Sequence, residues 1–564
     1  MAGDYRFLIT GKIKERITMA DATYDVVVVG GGNKSLVTAL YLAKYGGMEV
    51  AIFEDRHEIG GGISSEEGPA PGFIANTHSS IHFDDYYPTV FADFPDFKDR
   101  GARYVHPKSA FGAVFEEDQK SLLVYHEEFD PTQEKTAAEI ARFSEKDAET
   151  WLFLWDKWKK YLEPAFIKWL HTPPPLPGVP DPLEEAMRNP ECGVEPQWAE
   201  MSSLQVLRDV FESPEIRIAF YRTMHSWHLH PPDDYGMGLH TLLGGLMWTQ
   251  CCFFIGGTHS IAHALLKCFV EEGGKVFTKS PVEKILVEGG KATGIRLEDG
   301  TEVKARKLVL SGVDPQQLCL NLLGEDKITP RVARRVKNIE DTYTTITWYD
   351  YALHNPPDYL AKSFNPDIGE CAWLTLSNRD EERLVKEHAW FKLGKHPRPG
   401  VTQMVICPHS IFDSTRAPAG KHLFKTETPC IPATYLSAKE WREFKKVQAE
   451  EELKEWRKFA PNMTWDNVIG YMALTPYDAA NLRNMYPNGN MGSNVDNAPG
   501  QLGRYRPIPD LARHTVPGIS QLYATSAAWA PSLGGSAWQG YNCYKIIAED
   551  LGLQKPWQEK GRPY

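Results

Sequence analysis

The sequence contains no Cys-x-x-Cys pair; its nine cysteines are scattered apart from the neighbours Cys251 and Cys252. That excludes a redox dithiol, a zinc framework and the cysteine-dense pattern of a small secreted scaffold, and free thiols in a reducing compartment are expected. No apolar run is long enough for a transmembrane helix. The opening stretch "MAGDYRFLITGKIKERITMADATYD" has no apolar h-region, and Asp4, Glu15 and Asp21 stand among its basic residues. Residues 1–23 therefore read as a surface extension rather than a secretory or mitochondrial address, and a cytoplasmic location is expected. An excess of positive charge is missing too. The net charge is -12, so nucleic acid is not an expected partner. No internal repeat is visible.

What is present is a long chain with a nucleotide-type beginning. At 564 residues it exceeds one ordinary domain. "YDVVVVG" is a continuous apolar run, as a buried parallel strand requires. Leu36, Val37, Leu40 and Ala43 then recur at helical spacing, and "GMEVAIFED" reads as the next strand. Between them lies "GGGNKS". Gly30 permits a tight turn, and Gly32 lets the backbone approach a pyrophosphate at the helix N-terminus. Ser35 replaces the glycine or alanine expected at the third position. That position serves helix–strand packing, and a serine hydroxyl there can bond back to a carbonyl. Glu54 ends the second strand, where a carboxylate accepts hydrogen bonds from ribose hydroxyls and disfavours a 2′-phosphate. The turn alone does not separate FAD from NAD.

Downstream, "GGKVFTKS", "VEKILVEG", "KATGIRLEDG" and "EVKARKLVLSG" read as strands joined by Gly or Asp turns. "VPGISQLYATSAAWAPSLGGSAWQGYNCYKIIAEDLG" reads as strand, turn and helix. Residues 130–230 read mostly helical, with the proline-rich "HTPPPLPGVPDP" as a loop.

After Glu54 comes "DRHEIGGGISSEEGPAPGF". The glycine pair, the small residues, "EE" and "PGF" resemble the phytoene desaturase-like (carotenoid desaturase/dehydrogenase-related) FAD-dependent oxidoreductases. The block starting "GGTHSIAHALLKCFVEEGG" resembles that family's central segment. "APSLGGSAWQGYN" resembles its C-terminal signature, with Pro531, Gly534, Gly540 and Asn542 on expected positions, and "RPIPD" from Arg506 matches a recurring Arg-Pro upstream. The resemblance covers about half the chain. It implies FAD, and a glutathione-reductase-like α/β fold. A discontinuous FAD-binding Rossmann domain would comprise residues 24–100, 250–315 and 500–552. A mixed α/β substrate domain would be built from inserts 101–249 and 316–499, with a tail at 553–564.

By that resemblance the cofactor contacts are Gly30, Gly32, Asn33 and Ser35 on the turn, Glu54 and Asp55 after it, then Gly60, Gly61 and Ser65. Val282, through its backbone near the adenine, and Ser311 follow centrally. Ser526, Gly534, Trp538 and Gly540 come from the tail. The family often has His-Pro-Gly-Gly-Gly in that last turn. Here Ala530, Ser532 and Leu533 depart from it, and Trp529 and Trp538 add bulk beside the expected flavin, so a reshaped substrate face is expected.

Only one dinucleotide fingerprint occurs, so electrons are expected to leave by a quinone, a carrier protein or oxygen; transient NAD(P)H docking and oligomerisation stay open. In "TWLFLWDKWKKYLEPAFIKWL", Trp151, Trp155, Trp158 and Leu162 share one helical face. A core or interface helix is the favoured reading, with peripheral membrane contact and a lid as alternatives. "TLLGGLMWTQCCFFIGG" suits a buried strand or a tunnel lining. His78 and His82 are candidate acid–base groups. His225, His228 and His230 with Asp233 and Asp234 suggest a polar pocket rather than a metal, because flavin chemistry needs none. The expected activity is FAD-dependent dehydrogenation at a CH–CH group of a hydrophobic isoprenoid, terpenoid or alicyclic substrate. The rivals are a redox-neutral isomerase or ene-type reductase, and a flavin-bound scaffold protein within a larger complex.

Overall fold

The computed structural model describes residues 22–228, 230–343, 345–396, 404–485, 487–490, 494–532 and 535–564, without the side chains of 224–228. The strand Thr23–Val29 lies in the middle of a parallel array, with Val26, Val27 and Val28 wholly buried. Burial on both faces is why the run does not alternate. It pairs with Val50–Phe53 on one side and Glu302–Ser311 on the other. Lys275–Phe277 and Ile519–Ala524 extend the array in parallel at its two flanks. The antiparallel strands Val282–Glu288 and Lys291–Leu297 attach beside Glu302–Ser311. Strands from three distant stretches thus form one sheet, an α/β arrangement of the Rossmann kind. The helices Asn33–Lys44, His259–Glu271 and Trp538–Leu551 pack against one another on one of its faces.

A second sheet has seven strands. In spatial order they are Val468–Leu474, Ile346–Leu353, His422–Pro429, Met404–Cys407, Cys371–Ser377, Ser109–Phe115 and Ser121–Tyr125. Its pairs are antiparallel except Cys371–Ser377 with Ser109–Phe115. Strands from both long inserts therefore meet in it. One face is covered by the helix Ala438–Trp456, whose Ala449, Leu453 and Trp456 are buried against it.

The helical stretch is Glu134–Ala141, Glu145–Lys157, Glu163–Leu170, Ser203–Val210 and Pro214–His228. Trp151, Trp155, Trp158 and Leu162 all point into the core, Trp151 against Phe220 and Trp158 against Phe166. The shared aromatic face is thus a packing face, and those rings are not offered to a lipid surface. The "TLLGGLMWTQCCFF" segment departs from the expected strand. It is a helix, Gly238–Met247, one tight turn, and only then the strand Cys251–Phe254. Its glycines explain the helix: a Cβ on Gly245 would lie 2.3 Å from the Phe220 ring, so two helices approach there closely. Among the described residues, no helix is long and apolar enough to cross a membrane. All nine cysteines are buried free thiols.

Candidate functional site

The carboxyl ends of the parallel strands converge on one cavity of about 460 Å³. Ligand crevices of open α/β sheets form at such ends. Gly30 and Gly32 follow the first strand, Glu54 the second, Gly312 the strand Glu302–Ser311, and Ser526 the strand Ile519–Ala524; all line the cavity. Gly30 sits at φ +84°, a region that favours glycine. Gly32 heads the helix Asn33–Lys44 with no side-chain cap, and a Cβ built on it meets nothing within 4 Å. The helix N-terminus therefore opens onto space with its first N–H groups unoccupied by a cap, which suits a phosphate.

Glu54 holds this turn. One oxygen accepts from Gly31 N (2.6 Å) and the other from Arg56 N (2.9 Å). Burial pushes its carboxyl above the usual range, against the pull of those two N–H groups. A carboxylate offers about four lone-pair sites, so room remains for a ribose hydroxyl. Ser35 Oγ lies 2.6 Å from Gly30 O and 3.0 Å from Gly32 O, so the serine staples the turn's own carbonyls. Its partner in packing is Gly312, where a Cβ would come within 2.7 Å of that hydroxyl. The third-position substitution is thus matched by a glycine on the neighbouring strand end.

Of the other expected contacts, Asn33, Asp55, Gly61 and Val282 line the cavity. Gly60, Ser65, Ser311, Trp538 and Gly540 are not among its lining residues, and Gly534 lies outside the described residues. Their surroundings show what they do instead. Ser65 Oγ donates to Asn76 Oδ1 (2.8 Å). Gly540 lets two helices touch, since a Cβ there would be 2.2 Å from Lys34 O. Trp538 turns away, its indole N–H donating to Asp85 O (2.6 Å) and its ring packed on Tyr86. Trp529 is buried too, donating to Leu511 O (2.9 Å). The bulk expected beside the flavin is therefore absorbed into the core. Asn33 Nδ2 and Lys34 Nζ each donate to Ser536 O at 2.8 Å, tying the glycine turn to the C-terminal turn. Arg506 is fully buried and bonds the carbonyls of Val495 and Gln501, both at 3.0 Å, which explains the upstream Arg-Pro.

The two candidate histidines separate. His78 lines the cavity. Its ring meets Trp348 edge-on at 4.7 Å, and a Cβ on Gly62 would come within 2.8 Å of it. The Trp348 indole N–H in turn donates to Glu427. His82 does not line the cavity. It is enclosed by Tyr86 and Phe254, 3.2 Å from Ser79 Oγ, and burial with the nearby Lys34 charge drives its pKa down to about 3. It stays neutral at working pH and is unsuited to carry a proton there. His230 is bonded to Ser203 Oγ (2.6 Å); the side chains of His225 and His228 lie outside the described residues. Among the described residues, His106, His126 and Glu128 could offer metal ligands. However, His106 already bonds Asp84 and Glu128 through its two nitrogens and stacks on His126, so an ion-pair cluster describes them better.

Sequence reasoning missed Arg56, Arg483, Asn484, Met485 and Asn494 in the cavity wall. Arg56 was findable, two positions past Glu54. The other four come from a remote insert with no motif.

The family profile described as Flavin containing amine oxidoreductase matches residues 36–348, more than half of the chain. The chain belongs to that family. Its cofactor is FAD, and the uncapped helix N-terminus, the bare Gly32 and Glu54 fit that dinucleotide. Relatives with other names are distant. A mouse protein called pyridine nucleotide-disulfide oxidoreductase domain-containing protein 2 is 26% identical, covering 94% of each chain. One of the limonene dehydrogenase subunits of Castellaniella defragrans is 22% identical over 95% of this chain and 96% of its own. Prolycopene isomerase 1 of an Oncidium hybrid is 26% identical over 53% of this chain and 47% of its own. Among solved structures, putrescine oxidase bound to putrescine superposes with a TM-score of 0.57 at 15% identity, over 94% of this chain and 99% of that one. That likeness is one of fold.

Proposed function

We propose that this flavin oxidoreductase is a dehydrogenase that removes hydride from an aliphatic carbon of a hydrophobic isoprenoid, terpenoid or alicyclic substrate, leaving a C=C bond. The observation that carries the reading is His78, a histidine set in the wall of the FAD cavity with its ring fixed by Trp348. The near full-length likeness to a limonene dehydrogenase chain supports the substrate class. Bound FAD supplies a two-electron acceptor for a C–H bond. The chain's part is to place the substrate, exclude water and take the proton at His78. The second electron partner is a quinone, a carrier protein or oxygen.

Anaerobic mixing of the holoprotein with cyclic monoterpenes and with longer polyenes tests this. Bleaching of the flavin absorbance by one class, with a desaturated product, is the expected result. His78→Asn should lower kcat by about 10²- to 10⁴-fold with FAD still bound. Product isomers without bleaching would favour a redox-neutral isomerase instead, a reading that the prolycopene isomerase likeness supports. Turnover that appears only beside a partner chain would favour a role within a larger complex, since the limonene dehydrogenase relative is itself named as one of several subunits.

A further inference from the structure

The FAD cavity is lined by five carboxylates, Glu54, Asp55, Glu283, Glu298 and Asp314. A diphosphate brings two more negative charges into that wall. Helix N–H groups offset only part of them, so cationic side chains are needed. Among the described lining residues the cations are Lys34, Arg56 and Arg483. Lys34 is spent on the C-terminal turn, with its ammonium 2.8 Å from Ser536 O. Two guanidiniums are left.

They come from different parts of the chain. Arg56 follows Glu54 on the nucleotide-binding sheet. Arg483 caps the helix Pro476–Leu482, which belongs to the insert. Arg483 reaches across to bond Glu66 Oε1 (2.5 Å) and Ser64 Oγ (3.2 Å), and it lies 3.9 Å from Glu58. Arg56 shares both acids, at 3.2 Å from Glu58 and 3.6 Å from Glu66. Burial first, and then the Arg483 charge, hold the Arg56 guanidinium below its usual range. Two like charges are thus crowded on one wall of a cavity that takes an anion. A planar guanidinium fork is also the side chain best matched to phosphate oxygens.

We propose that Arg483 is a cofactor-binding residue supplied by the insert, holding the diphosphate of FAD together with Arg56. The inference rests on the FAD reading of the cavity. It makes cofactor affinity depend on a residue more than 400 positions from the glycine turn, and it makes FAD a tie between the insert and the nucleotide-binding sheet.

The test uses the full-length chain freed of flavin, titrated with FAD, ADP and adenosine. Arg483→Ala should weaken FAD and ADP by about 10- to 100-fold, as expected for charge-assisted hydrogen bonds. Adenosine, which lacks phosphate, should bind as before. Arg483→Lys should recover part of the loss, because a point charge replaces the fork. Glu66→Gln breaks the same ion pair but leaves the guanidinium, so ADP should bind as well as before or more tightly. Unchanged ADP affinity in Arg483→Ala overturns the proposal. So does an equal loss for ADP and adenosine, or a loss in Glu66→Gln as large as in Arg483→Ala, since either would mean that only the wall had collapsed. Failure of the unaltered chain to bind FAD would instead overturn the cofactor assignment on which the proposal stands.

Discussion

The two sheets are held together by opposite means. The nucleotide-binding sheet is apolar to its centre, and its specific features are made by backbone: a positive φ at Gly30, an open Gly32, close approaches at Gly312 and Gly540. The insert sheet hides charge. Lys425 and Asp350, on the paired strands His422–Pro429 and Ile346–Leu353, form an ion pair at 3.1 Å with 1% and 0% exposure. Lys425 also donates to Asn76 O (2.6 Å), and Arg416 to Ile74 O (2.6 Å). Those are the residues just before His78. The difference has a functional sense: one sheet receives the cofactor through its main chain, while the other reaches over with long polar side chains and fixes the segment that carries His78.

The largest expected effect comes from breaking that buried pair. Lys425→Met leaves Asp350 without its cation and removes the bond to Asn76 O. A loss of about 3–5 kcal/mol is expected, read as a fall in the denaturation midpoint. The double change Asp350→Leu with Lys425→Met should regain much of it, since well-packed apolar pairs often replace buried ion pairs at little cost. If the single change were harmless, the contrast between the sheets would dissolve.

Acid should separate the two halves further. Burial lowers His514 to about 4 and His82 to about 3. Their unfolded forms protonate near pH 6.5, so the stability they contribute is present above that pH and is lost as pH falls towards their folded values. Each costs about 1.4 kcal/mol per pH unit in that window. Burial raises Glu452 and Glu427 to about 7 in the insert sheet. Their contribution has the opposite sign. It is full below the unfolded value near pH 4.3 and is lost as pH rises through about 7. Hydrogen exchange at pH 7 and pH 5 should therefore show the strand Ile519–Ala524 losing protection while His422–Pro429 keeps or gains it. Equal losses in both would remove the distinction.

How much of this was legible follows from the same contrast. A glycine turn is a local event, so Gly30, Gly32 and Glu54 can be read from a short window, and so can the strands from Lys275 to Ser311. The Lys425–Asp350 pair and the Arg483–Glu66 bridge join residues 75 and 417 positions apart, and nothing local marks either. Helical spacing put Trp151, Trp155 and Trp158 on one face but does not say what that face meets. Trp538 and Gly540 were read as cofactor contacts because they stand in a turn of the right shape; that their atoms point to Asp85 and Lys34 is a matter of packing.

Gly540 gives a smaller and more local test. The helix Trp538–Leu551 crosses Asn33–Lys44 there, and Thr38 Oγ1 donates to Gly540 O (2.8 Å). Gly540→Ala would drive a methyl into Lys34 O. A cost of about 1–3 kcal/mol is expected from overpacking. FAD affinity should fall as well, because Asn33 and Lys34 shift with the helix. A thermal melt with and without added FAD reads both. Retained flavin affinity would mean that the glycine turn is independent of its C-terminal support.

The smallest effect belongs to Ser35. A glycine at that position would fill the fingerprint but would leave the carbonyls of Gly30 and Gly32 without the hydroxyl that now bonds them. Serine instead uses the space that Gly312 leaves. Ser35→Ala keeps the volume close and removes only the hydrogen bond, so a loss of about 1 kcal/mol is expected, with FAD affinity changed by a few-fold at most. Gly312→Ala should cost more than Ser35→Ala in the unaltered chain, because its methyl meets the hydroxyl. In a Ser35→Gly background that same change should become milder, because the clash is gone. Strict additivity of the two changes would show that serine and glycine do not compensate each other across the strand ends.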